Sequence, residues 1–100
     1  MVMVRRKVTW TKLALRQLTA AIKYIRKHSP QNADSVKQRI LNKVDELADT
    51  KIVHRRDPNR TKNDGSFFYF EILKFRILYH AEPGEVFILR IRHTKREPKK

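Results

Sequence analysis

Two helical stripes of apolar residues follow each other in the first half of the chain, separated only by the pair Ser29-Pro30. In each stripe the apolar residues recur at spacings of three and four, which is typical of a helix with one buried face. The first stripe, with Thr11 as its N-cap, contains Ala14, Leu15, Leu18, Ala21, Ile22 and Ile25, and the second contains Ala33, Val36, Ile40, Val44 and Leu47. Serine followed by proline is typical of a helix start. This short connection predicts two helices packed as an antiparallel hairpin.

The second half of the chain has the composition of a β-sheet. Three runs rich in aromatic and β-branched residues predict strands, at Phe67–Leu73, Phe75–Ala81 and Val86–His93. Glu82-Pro83-Gly84-Glu85 is typical of a hairpin turn between the last two runs. Residues 50–66 contain mostly polar and basic residues, so we expect an exposed loop there. This half therefore predicts an antiparallel meander of three strands.

The first ten residues alternate in the manner of a strand with one buried face, because Val2, Val4, Val8 and Trp10 share one parity. The complete pattern predicts an α+β fold in a single domain over residues 1–100. It comprises an N-terminal strand, an antiparallel two-helix hairpin and a three-stranded antiparallel meander, with the helices packed on one face of the sheet. We expect the other face to be open to solvent and residues 94–100 to form a basic C-terminal tail.

Charge and composition limit the partners of this domain. The chain has 24 Lys and Arg residues against 10 Asp and Glu residues, a formal net charge of +14 and a pI near 10.7. A pI above about 9 is typical of domains that bind a polyanion such as nucleic acid. The chain has no cysteine and two glycines, which excludes disulfides, thiolate metal sites and glycine-rich phosphate loops. We therefore expect no metal, no cofactor, no membrane span and a cytoplasmic location.

Several motifs occur in a characteristic order along the chain. They are Tyr24-Ile25, Ser29-Pro30 with Ala33, Leu47-Ala48, Phe75-Arg76-Ile77-Leu78-Tyr79, and Ile88–His93 followed by Lys95-Arg96. In this order and spacing they resemble the RelE/ParE superfamily, the small toxins of bacterial type II toxin–antitoxin operons. The motif at 75–79 is similar to the YRIVY strand of that superfamily. The resemblance spans nearly the whole chain and implies the same α+β fold.

The resemblance implies one of two activities. RelE-like members cut mRNA in the ribosomal A site, whereas ParE-like members bind DNA gyrase and poison it without cutting RNA. In the RelE-like pattern, the arginine of the YRIVY strand and a basic residue near the C-terminus contact the scissile phosphate, which implies Arg76 and Arg96. Another branch uses a histidine at the end of the last strand, which corresponds to His93. The implied partners are an acidic antitoxin and either the ribosome with its mRNA or DNA gyrase.

Histidine is well suited to the proton transfers of RNA cleavage, because its ordinary pKa is near neutrality. Among the histidines, His93 ends the most basic strand and lies between Arg92 and Lys95. Neighbouring positive charge would lower the pKa of His93 and favour a neutral base. The alternative is a structural histidine at a strand end, held by a backbone carbonyl.

Arg76 lies within an apolar run, which is a costly place for a charge unless its face of the sheet is open. A phosphate would bind its planar guanidinium, and the alternative is an ion pair with Glu71 or Glu82. On the last strand, Arg90 and Arg92 share one parity, so one face of that strand is expected to be cationic. The other parity contains Phe87, Leu89, Ile91 and His93.

Further side chains are candidates for phosphate or base contacts. The expected phosphate-binding residues are Lys62, Arg90, Arg92, Lys95, Arg55 and Arg56. For Lys62 this role is what the resemblance to the loop lysines of RelE-like members implies, and for Arg55 and Arg56 the alternative is contact with the antitoxin. The aromatic run Phe67–Phe70 could stack on RNA bases, although we expect at least half of its rings to pack against the helices.

The spread of positive charge favours a ribosome-dependent mRNA endoribonuclease, because an enzyme that works among ribosomal RNA gains affinity from it. The absence of a tyrosine after Tyr79 favours the alternative, a non-catalytic gyrase inhibitor. A plain RNA-binding module is the third hypothesis. In both toxin hypotheses we expect an acidic antitoxin segment to order on the basic surface and to cover Arg76 and the last strand.

Overall fold

A computed structural model of the chain describes residues 5–49, 54–56 and 65–96, and at residues 55, 56 and 96 it describes the backbone alone. The predicted strand residues Val2 and Val4, the loop residue Lys62 and the end of the tail, 97–100, lie outside the described residues. Within the described residues the elements follow the predicted order. The α+β class, the helical hairpin and the antiparallel meander are confirmed.

The two helices are α1, Lys12–His28, and α2, Pro30–Asp45. Thr11 caps α1 as the sequence predicts, because its Oγ1 accepts a hydrogen bond from the Ala14 N–H at 3.2 Å. Ser29 is at once the C-cap of α1 and the N-cap of α2. The hairpin therefore turns at the predicted Ser-Pro pair.

The strands form one sheet. They are β1 Lys7–Trp10, β2 Arg55–Arg56, β3 Phe67–Ile72, β4 Phe75–Ala81 and β5 Glu85–His93. Their order in the sheet is β1-β5-β4-β3-β2, with β1 parallel to β5 and the other neighbours antiparallel. A short 3₁₀ turn, Glu46–Ala48, follows α2, and another, Thr94–Arg96, follows β5. The helical hairpin packs on one face of the sheet, where the Gln17 side chain of α1 accepts a hydrogen bond from the Ile91 N–H of β5.

The sequence predicts a loop throughout 50–66, and this prediction is wrong at β2. Arg55 is paired with Tyr69, and Arg56 is paired with Phe68. A strand of two residues is too short to produce an alternating pattern in the sequence. The strand β2 is therefore recognised by its pairing with β3 and not by a pattern in its own residues.

The turn between β3 and β4 has an unusual backbone for its residue types. Leu73, which the sequence assigns to the strand, has a φ of 51°, and Lys74 has a φ of 67°. Two-residue hairpin turns favour positive φ at both positions, and Asn-Gly is their usual sequence. A residue with a Cβ costs roughly 1–2 kcal/mol in this region. The pairing of β3 with β4 therefore holds a turn that its own residues disfavour.

The core lies between the helices and the sheet. On β4, Phe75, Ile77 and Tyr79 are buried under the helices. The largest fully buried side chains are Tyr79, Ile40, Leu47, Ile77, Ile88, Val44 and Val86. From β3, Phe70 is buried in this core and Phe68 packs against it, which confirms that half of the aromatic run faces the helices.

We call the opposite face of the sheet, which the helices leave uncovered, the open face. Its residues on β3, β4 and β5 include Phe67, Tyr69, Glu71, Arg76, Leu78, His80, Phe87, Arg90 and Arg92.

A bulge in β5 changes which of its side chains face the core. The register with β4 shifts at Leu78 and Tyr79, so that Leu89 becomes an extra residue on β5. Ile88 faces the core before the bulge, and Ile91 faces it after the bulge. The sequence groups four residues on one face: Phe87, Leu89, Ile91 and His93. That grouping is wrong, because the extra residue breaks the alternation and leaves Phe87 on the open face.

Candidate functional site

The open face is organised as three rows of side chains that cross the sheet in register. We name them the charged rung of Glu71, Arg76 and Arg92, the middle rung of Tyr69, Leu78 and Arg90, and the aromatic rung of Phe67, His80 and Phe87. Each rung takes one residue from each of β3, β4 and β5. The rungs divide the open face into a cationic end and an aromatic end.

Arg76 is held in the centre of the charged rung. Its Nη2 donates to Glu71 Oε1 at 3.0 Å, and its Cζ lies 4.9 Å from the centroid of the Tyr69 ring. The ion pair with Glu71 that the sequence offers as the structural alternative is therefore present. An exposed pair of this kind contributes about 0.2–1 kcal/mol. The Arg76 side chain is 32% exposed although its Nε is buried, so the ion pair positions a guanidinium that is partly accessible.

The arginines of β5 lie beside Arg76 and create a local excess of positive charge. Arg92 is the direct cross-strand partner of Arg76, and Arg90 follows on the middle rung. Both are exposed. Like charges that face each other across a strand pair are destabilising, and Glu71 offsets part of this repulsion. A bound anion would offset more of it, so these arginines are the predicted phosphate-binding residues that the structure brings together.

His93 lies on the other face of the sheet. Its cross-strand partner is Phe75, which is buried in the core, and the two rings meet edge to face at 5.2 Å. Its Nδ1 accepts a hydrogen bond from the Lys95 N–H at 3.2 Å. A backbone N–H therefore holds this ring nitrogen of His93, whereas the structural alternative that the sequence offers is a backbone carbonyl. Arg76 and His93 therefore lie on opposite faces of the sheet.

The other predicted contacts are distributed around the edges of the fold. Arg55 and Arg56 form the edge strand β2. Lys95 is exposed in the turn after β5, and Arg96 ends that turn. Lys62 lies outside the described residues.

A polar pair on the core side of the sheet was not indicated by the sequence. His54 Nδ1 lies 2.7 Å from the Tyr79 hydroxyl, and the imidazole packs against the Phe70 ring with centroids 4.8 Å apart and a tilt of 30°. Burial, followed by the positive charge of Lys43, lowers the pKa of His54. Burial also raises the pKa of Tyr79 to about 12. A neutral imidazole next to a protonated phenol therefore connects the start of β2 to the centre of β4.

Arg6 connects the same region to the helices, because its Nε donates to the Leu47 carbonyl at 2.8 Å. Its charge lowers the pKa of both His54 and Tyr79, while Glu46 raises that of His54. The sequence signal for Tyr79 is its place in the motif 75–79, whereas His54 follows a segment without periodicity. Only tertiary contacts bring these residues together.

Among the described residues, no three His, Asp or Glu side chains form a group that could hold a metal ion. In the same part of the chain, no helix has the length and apolar character needed to cross a membrane.

Comparison with known proteins gives a family match and nine matching chains among the solved structures. The family model described as the ParE toxin of type II toxin-antitoxin system, parDE, matches residues 8–98. A chain of the chromosomal ParDE TA system from P. aeruginosa has a TM-score of 0.73 and 20% identity, covering 89% of this chain and 96% of that chain. A chain of the toxin-antitoxin complex RelBE2 from Mycobacterium tuberculosis has a TM-score of 0.57 and 20% identity, covering 92% and 94%. No curated protein matches.

At this level of identity the two solved structures establish a shared fold. The family match adds the sequence evidence, since it extends from β1 to beyond the turn that follows β5. The motif at 75–79 and the basic end of the last strand both lie within it. The chain therefore belongs to the ParE toxin family of type II toxin–antitoxin systems, within the RelE/ParE superfamily that its motifs resemble.

Proposed function

We propose that this toxin inhibits DNA gyrase and does not itself cut RNA. This is the alternative that the resemblance left open, and the ParE family match favours it. The observation that supports it best is the placement of Arg76 and His93, the candidates for phosphate contact and proton transfer, on opposite faces of the sheet.

Metal-independent RNA cleavage needs two kinds of side chain at one phosphate. A general base has to come within about 2.6–3.2 Å of the proton that it removes. A cation that stabilises the developing negative charge has to contact the same phosphate. Successive side chains of a strand point to opposite sides of a sheet, so an RNA strand on Arg76 is separated from the His93 imidazole by the sheet itself. This geometry favours a toxin that acts by binding.

We also propose that a cognate acidic antitoxin covers the open face, including Arg76 and β5. The net charge of +14 and the excess of arginine on this face favour an acidic partner. The two structural matches come from a ParDE system and from a RelBE2 toxin-antitoxin complex. A toxin that acts on gyrase would work in the cytoplasm, where gyrase meets DNA.

The test compares the two targets with the same purified toxin. One reaction contains gyrase, ATP and supercoiled plasmid, and the other contains translating ribosomes with a defined mRNA. We expect broken plasmid DNA in the first reaction and unchanged mRNA 5′ ends, measured by primer extension, in the second. New 5′ ends within the reading frame, together with intact plasmid, would contradict the proposal.

The second candidate is a ribosome-dependent mRNA endoribonuclease. The observation that favours it is the group of Arg76, Arg90 and Arg92 on the open face, which suits the phosphates of an RNA. In that mechanism Arg76 and Arg96 would stabilise the phosphate, and proton transfer would fall to His93 or to a group of the ribosome. The primer-extension reaction distinguishes this candidate from the first.

A further inference from the structure

The proposed inhibition of gyrase assigns no role to the aromatic rung. Phe67 stacks on His80 with ring centroids 4.4 Å apart and 16° between the planes. His80 and Phe87 follow at 6.5 Å and 23°. All three side chains are partly exposed. The open face thus presents a row of nearly parallel rings across three strands, on the side that the helices leave uncovered.

The charged end of the open face lies close to this row. Arg76 and His80 are four residues apart on β4, which corresponds to about 13 Å along a strand. On the charged and middle rungs, Arg76, Arg90 and Arg92 are accompanied by one acidic residue, Glu71.

The excess of positive charge does not extend past the aromatic rung. Glu82 Oε1 lies 3.9 Å from His80 Nδ1, and Glu85, whose cross-strand partner is the exposed Lys7, accepts a hydrogen bond from the Thr9 hydroxyl. A phosphate is therefore favoured at the arginines over the rings. A planar, uncharged group is favoured at the rings.

A single strand of nucleic acid combines these two kinds of group at short range. Its phosphates suit arginine, and each unpaired base offers a flat face that stacks on aromatic side chains. A duplex keeps its bases stacked inside, and an acidic peptide supplies the charge without a base. We propose that the open face binds single-stranded nucleic acid, with phosphates at the charged and middle rungs and a base at the aromatic rung. This inference goes beyond the inhibition of gyrase, which requires contact with a protein and not with a free strand. To the phosphate contacts that the second candidate gives to Arg76, Arg90 and Arg92 it adds a site for a base at the aromatic rung.

The test measures fluorescence anisotropy with labelled oligothymidine DNA and oligouridine RNA of about 12 nucleotides, a length within the usual site sizes. The double variant Arg90→Ala/Arg92→Ala is compared with Lys23→Ala/Lys27→Ala, which removes the same charge from the exposed side of α1. If two phosphate contacts are lost, the log–log salt slope should fall by about 1.4 in the first variant. The α1 variant should keep the slope of the unmodified protein. Equal losses in both variants would show diffuse attraction and overturn the proposal.

Stacking is tested separately from charge. Phe87→Leu retains an apolar side chain but removes the ring, and we expect about tenfold weaker binding of both oligonucleotides. Polyglutamate of the same charge should compete at least about tenfold less well than the oligonucleotide, because it has no bases. Unchanged affinity of Phe87→Leu, or equal competition by polyglutamate, would overturn the proposal. The DNA and RNA arms show which kind of strand is preferred.

An NMR titration of the unmodified protein does not depend on the folding of any variant. The His80 ring protons should shift when the oligonucleotide is added, since a base would lie against the aromatic rung. His28, which contacts Tyr24 on α1 with ring centroids 4.7 Å apart, serves as the matched control and should not shift. Equal shifts at both histidines, or none at His80, would contradict the proposal. These reactions contain no gyrase, so their failure leaves the proposed function untouched, and a failed gyrase assay leaves this inference untouched.

Discussion

The Nδ1 of His54 lies 2.7 Å from the hydroxyl of Tyr79, so a single hydrogen bond joins the residue before β2 to the middle of β4. Tyr79 is 1% exposed, and its ring contacts are aromatic on several sides. A buried phenol of this kind needs a partner for its hydroxyl. The pair therefore connects the edge of the sheet to the core by a polar contact.

Removal of the Tyr79 hydroxyl should weaken this connection. In Tyr79→Phe the ring remains in the core, and the free energy of unfolding should fall by about 1 kcal/mol, the usual net value of one hydrogen bond. Urea denaturation measures the change. Tyr24→Phe is the matched control, because Tyr24 is 51% exposed and its substitution should change stability by less than about 0.5 kcal/mol. Equal effects at both positions would show that the hydrogen bond with His54 contributes nothing.

The same histidine predicts a pH dependence of stability. Burial holds the pKa of His54 below its ordinary value of 6.5 in the folded protein, so the unfolded chain binds this proton at higher pH. The contribution of neutral His54 to stability is therefore complete above pH 6.5 and is lost as the pH falls from there through the folded pKa.

Urea midpoints at about pH 7.5 and about pH 5.5 measure this effect. The unmodified protein should lose more stability between these values than His54→Asn does. His28→Asn, at an exposed histidine of α1, should retain the full pH dependence. If the pH dependence of stability is unchanged in His54→Asn, groups other than His54 cause it, and this prediction is wrong.

The turn between β3 and β4 offers a stabilising substitution. Lys74 is exposed and has a φ of 67°, so Lys74→Gly removes the Cβ from a left-handed conformation. The gain of roughly 1–2 kcal/mol from relieved strain is partly cancelled by the greater freedom of glycine in the unfolded chain, of about 0.4–1 kcal/mol. We expect a net increase in the free energy of unfolding.

Lys23→Gly provides the control with the opposite sign. Lys23 lies in the interior of α1, where glycine should lower the free energy of unfolding by roughly 1 kcal/mol. Both variants are measured by urea denaturation. Destabilisation by Lys74→Gly would mean that the turn is not strained.

The placement of His93 predicts how the toxin responds to substitution. His93→Gln keeps a polar side chain of similar reach but removes the capacity for proton transfer at neutral pH. If the toxin acts on gyrase, growth arrest and DNA breakage should persist in this variant. Arrest that disappears while the purified variant remains folded would instead favour catalysis by His93.

The helical hairpin and the three meander strands are determined by the sequence itself. The spacing of Leu18 and Ile22, the Ser29-Pro30 boundary and the alternation of Phe75, Ile77 and Tyr79 are local patterns. Such patterns indicate which side of a helix or strand is buried, but they do not identify the element that packs against that side. The same alternation places Arg76 on the opposite side of β4 from the core.

The tertiary structure alone decided the register and the composition of the site. The bulge at Leu89 arises from the pairing of β5 with β4, and β2 exists only through its pairing with β3. The pairing of β4 with β5 places Arg76 beside Arg92 and His93 beside Phe75. Alternation specifies two faces of each strand but not which residue of the neighbouring strand lies alongside, because register is fixed by contacts between segments distant in the sequence. For this reason the sequence identified Arg76 and His93 as individual candidates, and only the folded sheet placed them on opposite faces.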